Sequence, residues 1–528
     1  MESVDADRVE GLDAGQLPKG ITPEQLRILA YGSAVGREFD FKLLVAALGG
    51  NEENLSEEVE KLTQLGVLRE RPGGDRFSFV HDEARAKVYQ SLTASRLRVL
   101  HRKIAEAMER LYPSPPVDVI PEMGRHYFLG KVPEKSYHLN RRAALLSREG
   151  SQPEVAAHHL ERARIDLRAL PGDHSLEEAG LAEELGALYF ATGDLHAADR
   201  LYHEGLEWVG EKDIKLRARL LLARAEVARE RLELETAVRL ARQAHELFSR
   251  VGDLGGVAAI HRILGRVALS KGAYREALDE GMRALDLLQQ GNDLRVLGEL
   301  CIDIGNAFAM LGSGVGGEAI SWYERAIDRL REVGDWTEVA RAYHNLGVLI
   351  GESRPAEGLE NLARCQEAAE RAHEPRWAGW SLFSGVEMRL ALGQVEEAER
   401  DNQQAGRLLE RAEDPLGLQQ VEKNEGLILE KKGQWEEGEA AYRRAIERSR
   451  KYGLKPEEAE SRFLLARLLF KTRNLPKARS ELEAAAQLDL PTLKPNLAKP
   501  FAELSRQVAQ ASKTDPSVAG EPASRGTS

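Results

Sequence analysis

Lys432-Gly433-Gln434-Trp435-Glu436-Glu437, running into Ala441-Tyr442-Arg443-Arg444-Ala445-Ile446, is the stretch whose reading decides the fold. A glycine closes one helix. Beyond it, Gly438, Tyr442 and Ala445 fall at i, i+4 and i+7, on one face of a second helix. Upstream, Gly426 and Leu429 lie three apart on the first helix. Leu185-Gly186, Tyr189, Gly193, Ala198, Tyr202 and Gly205 repeat the pattern, and so do Leu264-Gly265, Ala268, Gly272, Ala277, Gly281 and Ala284. The first small position returns at Gly186, Ala225, Gly265, Gly305, Gly347, Gly385, Gly426 and Ala466, which is 280 residues in seven steps of 40. One such hairpin cannot bury its own apolar face, but stacked neighbours can, so the period predicts a solenoid.

These residues resemble tetratricopeptide repeats. The resemblance implies a mainly α fold: a right-handed α-solenoid of about nine helical hairpins, whose first helices line a concave groove. The family period is about 34 residues, so about six extra per unit imply helices longer by roughly one and a half turns per hairpin. Two places depart from the pattern. Leu311 to Gly317 carries a glycine-rich insertion, and Ser353-Arg354-Pro355 interrupts the turn near Leu359.

At 528 residues the chain is too long for one compact core, a limit that a repeat array does not face. Net charge is −12 with both signs interleaved, which gives no global attraction to nucleic acid or anionic lipid. Only two cysteines occur, Cys301 and Cys365, each within a repeat helix, so a disulfide framework is not expected and a reducing cytoplasm is. No run approaches the roughly 20 apolar residues that span a bilayer, and no secretory signal opens the chain, so no membrane partner is expected.

Before the repeats the pattern changes. Residues 1–20 read as a flexible segment and 21–112 as a small winged-helix-like α+β domain. Residues 113–165 read as linking helices and half-repeats, 166–490 as the solenoid, 491–510 as a capping helix and 511–528 as a disordered tail. Thr22-Pro23-Glu24-Gln25 carries a capping box that opens a helix, with Leu26, Leu29 and Ala30 as its buried stripe. A second helix covers Phe41 to Leu48, and a third runs from Asn54 to Leu65, closed by Gly66. Val67-Leu68-Arg69-Glu70, the turn Pro72-Gly73-Gly74-Asp75 and Phe77-Ser78-Phe79-Val80 then read as a β-hairpin.

This order, with Ala34-Val35-Gly36-Arg37-Glu38-Phe39 and Phe77-Ser78-Phe79-Val80-His81-Asp82, is similar to the segment joining core to repeats in signal-transduction ATPases of the maltose-regulon activator and large bacterial kinase type. The resemblance implies signalling or transcriptional control, an ATPase or kinase partner, and a nucleotide-sensor remnant at His81 and Asp82. The plainer reading is that His81 and Asp82 begin the next helix with Asp82 as its cap. No Gly-x-x-x-x-Gly-Lys-Ser/Thr phosphate loop occurs in the sequence.

Gly312-Ser313-Gly314-Val315-Gly316-Gly317 matches a dinucleotide fingerprint in letters only, because it follows a helix where that motif needs a strand, and a widened turn is expected instead. DNA recognition by the third helix is opposed by Glu52, Glu53, Glu57, Glu58 and Glu60 against Lys61 alone. The histidines lack a metal-ligand spacing, so no enzyme activity, metal or cofactor is expected. The expected function is a protein–protein interaction scaffold or regulatory sensor, holding a protein or peptide in the solenoid groove. Arg262, Arg266, Asn306, His344, Asn345, Lys423 and Asn424 fall at groove-facing positions of first helices, suited to clamp a peptide backbone or carboxylates.

Overall fold

The computed structural model describes residues 18, 20–150, 152–288, 293–312 and 316–514. They fall into two compact units, Met1–Gly256 and Val257–Ser528. The division lies within the repeats, not between them and the front module.

The front module opens with α1 (Pro23–Val35), where the capping box forms as read: the Thr22 N–H donates to Gln25 Oε1 at 3.0 Å, and the Gln25 N–H to Thr22 Oγ1 at 3.1 Å. The buried stripe differs by one position. Leu26 is exposed, whereas Gln25, Ile28, Leu29 and Gly32 are buried, because capping turns Gln25 inward and the face follows at helical spacing. Next come β1 (Glu38–Asp40), α2 (Phe41–Leu48), α3 (Glu52–Gln64), β2 (Leu68–Glu70) and β3 (Arg76–Phe79). The strands form one antiparallel sheet in the order β1-β3-β2, with Phe39 opposite Phe77 and Leu68 opposite Phe79. The hairpin follows the sequence expectation; β1 does not appear there. Phe39 earns β1 its place by filling the space above Gly32, where a Cβ would lie 2.6 Å from its ring.

Helices α4 (Asp82–Gln90), α5 (Ala94–Leu111) and α6 (Val119–Leu129) lead out of the module. Between α5 and α6, two buried histidines face each other, His101 Nδ1 and His126 Nδ1 lying 2.9 Å apart. The tautomers follow from the neighbours. Arg125 can only donate, so His126 Nε2 accepts from it at 3.1 Å and carries its proton on Nδ1. His101 Nδ1 therefore accepts, and its Nε2–H donates to the Tyr89 hydroxyl at 3.1 Å. Arg125 also donates to the Val35 carbonyl at the end of α1, at 2.8 Å, which fastens the chain of bonds to the front module.

Beyond α6 come α7 (Pro133–Glu149) and α8 (Pro153–Leu167), packed as a hairpin, with Pro133 in the first turn. Eight hairpins follow: α9 (Ser175–Ala191) with α10 (Leu195–Val209), α11 (Ile214–Glu230) with α12 (Leu234–Arg250), α13 (Leu254–Ser270) with α14 (Tyr274–Leu288), α15 (Leu294–Leu311) with α16 (Gly316–Glu332), α17 (Trp336–Gly351) with α18 (Pro355–Ala372), α19 (Pro375–Ala391) with α20 (Val395–Arg411), α21 (Pro415–Lys432) with α22 (Trp435–Tyr452), and α23 (Lys455–Lys471) with α24 (Leu475–Gln487). The short α25 (Leu490–Leu493), a 3₁₀ turn and α26 (Ala498–Thr514) end the described chain, and α26 buries Leu504 and Val508 over the last hairpin. The helix runs to Thr514, past the expected boundary at residue 511; the rest of the segment expected as a tail and the leading residues up to Leu17 lie outside the described residues, as do Ser313 to Val315.

At three first helices the recurring small residue is a socket for an aromatic ring. A Cβ on Gly186, Gly305 or Gly426 would lie 2.4, 2.7 or 2.5 Å from the ring of Tyr202, Tyr323 or Tyr442, so the second helix seats its aromatic side chain directly on first-helix backbone. Ser353-Arg354-Pro355 does not interrupt its hairpin. Pro355 occupies the first turn of α18, where it forfeits no helical hydrogen bond, and Gly358 packs so tightly on Gly351 that a Cβ would meet its Cα at 2.5 Å. Glycine does not close every turn either: Leu232 and Arg473 hold the left-handed position with φ of 59° and 62°.

Candidate functional site

The first helices of the unit Val257–Ser528 carry all seven residues expected to face a ligand, and the structure joins them mainly to each other and to neighbouring repeats. Arg262 on α13 pairs with Glu299 and, at 3.2 Å, with Asp303 on α15, and Arg266 approaches Asp303 at 3.7 Å. The Asn345 amide on α17 donates to Asn306 Oδ1 on α15 at 2.9 Å; the Tyr323 hydroxyl donates to the same oxygen at 2.8 Å. His344 meets Ser384 Oγ on α19 at 3.0 Å. Asn424 on α21 donates to the Phe383 carbonyl at 2.9 Å, while Lys423 reaches back to Glu387 at 3.3 Å and forward to Glu460 on α23 at 3.2 Å. These contacts link positions about one repeat apart, so they set the register of one hairpin on the next.

His344, Lys423 and Asn424, expected to face the groove, are largely covered by their neighbours, although Lys423 and Asn424 still line a hollow of that face. Burial pushes the His344 imidazole down to about 4, so the ring is neutral between Ser384 and Asn345 and packs at a steep angle to the rings of Trp377 and Trp380. Burial also works against the Lys423 charge, but Glu460 and Glu387 outweigh it and hold the ammonium above the ordinary lysine range.

Beside Lys423 and Asn424 the same face opens into a hollow of about 460 Å³. Phe383 and Met388 from α19 and Val348 from α17 supply apolar wall, while Ser384, Gln420, Asn424 and Lys423 supply polar groups and Glu352 and Glu387 the negative side. Arg262, Arg266, Asn306 and Asn345 do not line it. Sequence reading missed Phe383, Ser384, Met388 and Gln420. One signal was present, since Trp377, Trp380 and Phe383 recur every three residues along α19, where their rings pack in series, steeply inclined to one another, with centres 5.7 and 5.5 Å apart. The Trp380 indole N–H is satisfied by Asp414 Oδ2 at 2.7 Å, so the cluster is anchored on both its apolar and its polar sides.

Among the described residues no group of three or more His, Cys, Asp or Glu side chains is placed to hold a metal ion. His81 occupies the cap position of α4 without a side-chain cap bond, and Asp82 is the first helical residue instead of the cap. Asp82 lies 3.6 Å from Arg85 and 3.9 Å from Arg37, all near solvent. No described helix is long and apolar enough to cross a membrane.

Residues 423–495 match the tetratricopeptide repeat family. The array is tetratricopeptide-like. The matched segment begins at Lys423 and runs through α22, α23 and α24, so it contains the Tyr442 contact and the Lys423–Glu460 pair. No curated protein matches the sequence. Among solved structures, the chain is similar to a Signal Transduction ATPase with Numerous Domains with a tetratricopeptide repeat sensor from Pyrococcus horikoshii, at 15% identity and a TM-score of 0.42 over 92% of this chain and 65% of that one. The chain therefore spans about two thirds of that protein's length. It is also similar to aspartyl phosphate phosphatase F from Bacillus subtilis, at 14% identity and a TM-score of 0.45 over 71% of this chain and 93% of that one. The quorum sensor NprR from B. thuringiensis matches at 14% identity and a TM-score of 0.44, over 63% and 97%.

Proposed function

We propose that the first-helix face of the tetratricopeptide-like array binds a peptide or protein segment, with the 460 Å³ hollow as its anchor. The observation that supports this reading is the composition of the hollow. Phe383, Met388 and Val348 suit one apolar side chain, Gln420, Ser384 and Asn424 suit the flanking backbone, and the outlying carboxylates of Glu352 and Glu387 favour a neutral or basic flank over an acidic one. The protein is then a non-enzymatic scaffold or regulatory sensor. Its setting in this proposal is a reducing compartment, consistent with Cys301 and Cys365 as buried free thiols, and the resemblance of its front module suggests signal transduction or transcriptional control. The order α1-β1-α2-α3-β2-β3 supports reading that module as a winged helix, and its acidic α3 favours a protein such as an ATPase or kinase over DNA as its partner.

A displayed peptide library selected against the full chain tests the anchor. Selected peptides should share one bulky apolar residue and should lose at least tenfold in affinity to Met388→Arg, which fills the hollow. Equal affinity for the wild-type and Met388→Arg proteins, both folded by circular dichroism, would overturn the proposal.

A further inference from the structure

Arginines throughout this chain hold carboxylates: Arg262, Arg389, Arg448 and Arg462 all do so. Arg331, Arg364 and Arg371 hold none among the described residues, yet they line one hollow of about 410 Å³. The hollow lies where α16 ends, α17 begins and the last turns of α18 run past, and it does not share a lining residue with the site described above. Trp336 and Tyr343 form its aromatic wall, and Glu367 is its single acidic lining residue. Three guanidinium groups against one carboxylate leave a local excess of positive charge in a chain whose net charge is −12.

Two of the three guanidinium groups rest on aromatic faces. Arg371 Cζ lies 4.5 Å from the Trp336 ring centre, and Arg331 Cζ lies 6.0 Å from that of Tyr343. A ring face holds a cation weakly and leaves its N–H donors free, so this arrangement keeps the planar forks positioned and unspent. An oxyanion entering the hollow would exchange those contacts for short charge-assisted hydrogen bonds, two per fork. With Glu367 offsetting one of the three charges, a bound carboxylate would neutralise only half of the remaining excess. A hollow of this size, at the small end of the about 300–1,000 Å³ usual for ligand sites, has room for a larger anion.

We propose that Arg331, Arg364 and Arg371 form a binding site for a phosphoryl or pyrophosphoryl group, distinct from the first-helix face and independent of what binds there. The group comes either from a small phosphorylated metabolite or from a phosphorylated protein side chain; the recognition chemistry is the same.

Titration of the full chain with inorganic pyrophosphate at fixed ionic strength tests the site. Wild-type protein should bind it above a chloride control. Arg364→Gln and Arg371→Gln should each weaken binding tenfold or more, and the corresponding lysine variants should recover part of the loss. Because Arg371 leaves the indole face on binding, tryptophan emission should change in wild type and not in Trp336→Phe, which still binds. ATP and a phosphoserine peptide, added as competitors, separate the two sources, and displacement by either supports the site. Absence of pyrophosphate binding, displacement by neither competitor, or unchanged affinity in the folded Arg331→Gln, Arg364→Gln, Arg371→Gln triple variant would sink it.

Discussion

Gly426 and Leu232 show how much one residue decides in a hairpin array. At Gly426 the Tyr442 ring occupies the space of a side chain, so Gly426→Leu must push the two helices apart. Overpacking of this kind costs about 1–3 kcal/mol, which exceeds the roughly 1 kcal/mol gained by removing a mid-helix glycine. Hydrogen exchange in α21 and α22 should accelerate in that variant; unchanged protection would show that the ring is not seated as described. Leu232 is the opposite case. It is 74% exposed and holds φ of 59°, a conformation that burdens any side chain with a Cβ by about 1 kcal/mol. Leu232→Gly should therefore raise the protection of α11 and α12 about fivefold, and a loss of protection would contradict this account. Gly426 was legible in the sequence because its spacing recurs. Leu232 was not, since nothing in a leucine announces a left-handed turn, and neither was the outward turn of Leu26, which depended on where the capping Gln25 points.

Between elements, the decisive contacts join one first helix to the next. Lys423 is the clearest, a buried ammonium between Glu387 and Glu460, the latter also 3.1 Å from Lys494. Lys423→Met strands Glu460 with one partner where it had two, and breaking a buried pair costs about 3–5 kcal/mol. Adding Glu460→Gln should return part of that loss, so chemical denaturation of the single and double variants should give a coupling of at least about 1 kcal/mol. Strict additivity would mean the ion pair does not join α21 to α23. The helices themselves were readable from small-residue spacing and capping signals such as the Thr22–Gln25 box, whereas Pro355, read as an interruption, opens α18 instead. The hollow was not readable, because its walls come from α17, α19 and α21 and the residues that meet there are separated by whole repeats. The groove positions chosen by analogy fall on side chains that neighbouring repeats engage, of which Lys423 and Asn424 also line the hollow.

At the scale of the whole molecule, acid should act first on the unit Met1–Gly256. His101 and His126 share one directed chain of hydrogen bonds from Arg125 to Tyr89, and a second proton on either ring sets two donors against each other. Burial pushes His101 down to about 4 and His126 well below its ordinary value, each helped by the neighbouring Arg125 charge. The unfolded chain takes up these protons near pH 6.5 and the folded chain only at lower pH, near 4 for His101, so the contribution is full above about 6.5 and is lost as pH falls below it. The slope approaches about 1.4 kcal/mol per pH unit for each imidazole, and urea denaturation at pH 7 and pH 5 should show a clearly smaller loss for a His101→Phe, His126→Phe variant, in which His159 and His344 still contribute, than for wild type. The side-chain bonds between successive first helices bear on something else, the ancestry and redesign of the chain. Asn345 matches Asn306, Arg262 matches Asp303 and Lys423 matches Glu460, so each joint is keyed to its own neighbour. Excising one forty-residue hairpin would bring together halves of different keys, and the modules of this protein, alike in outline, are not interchangeable parts.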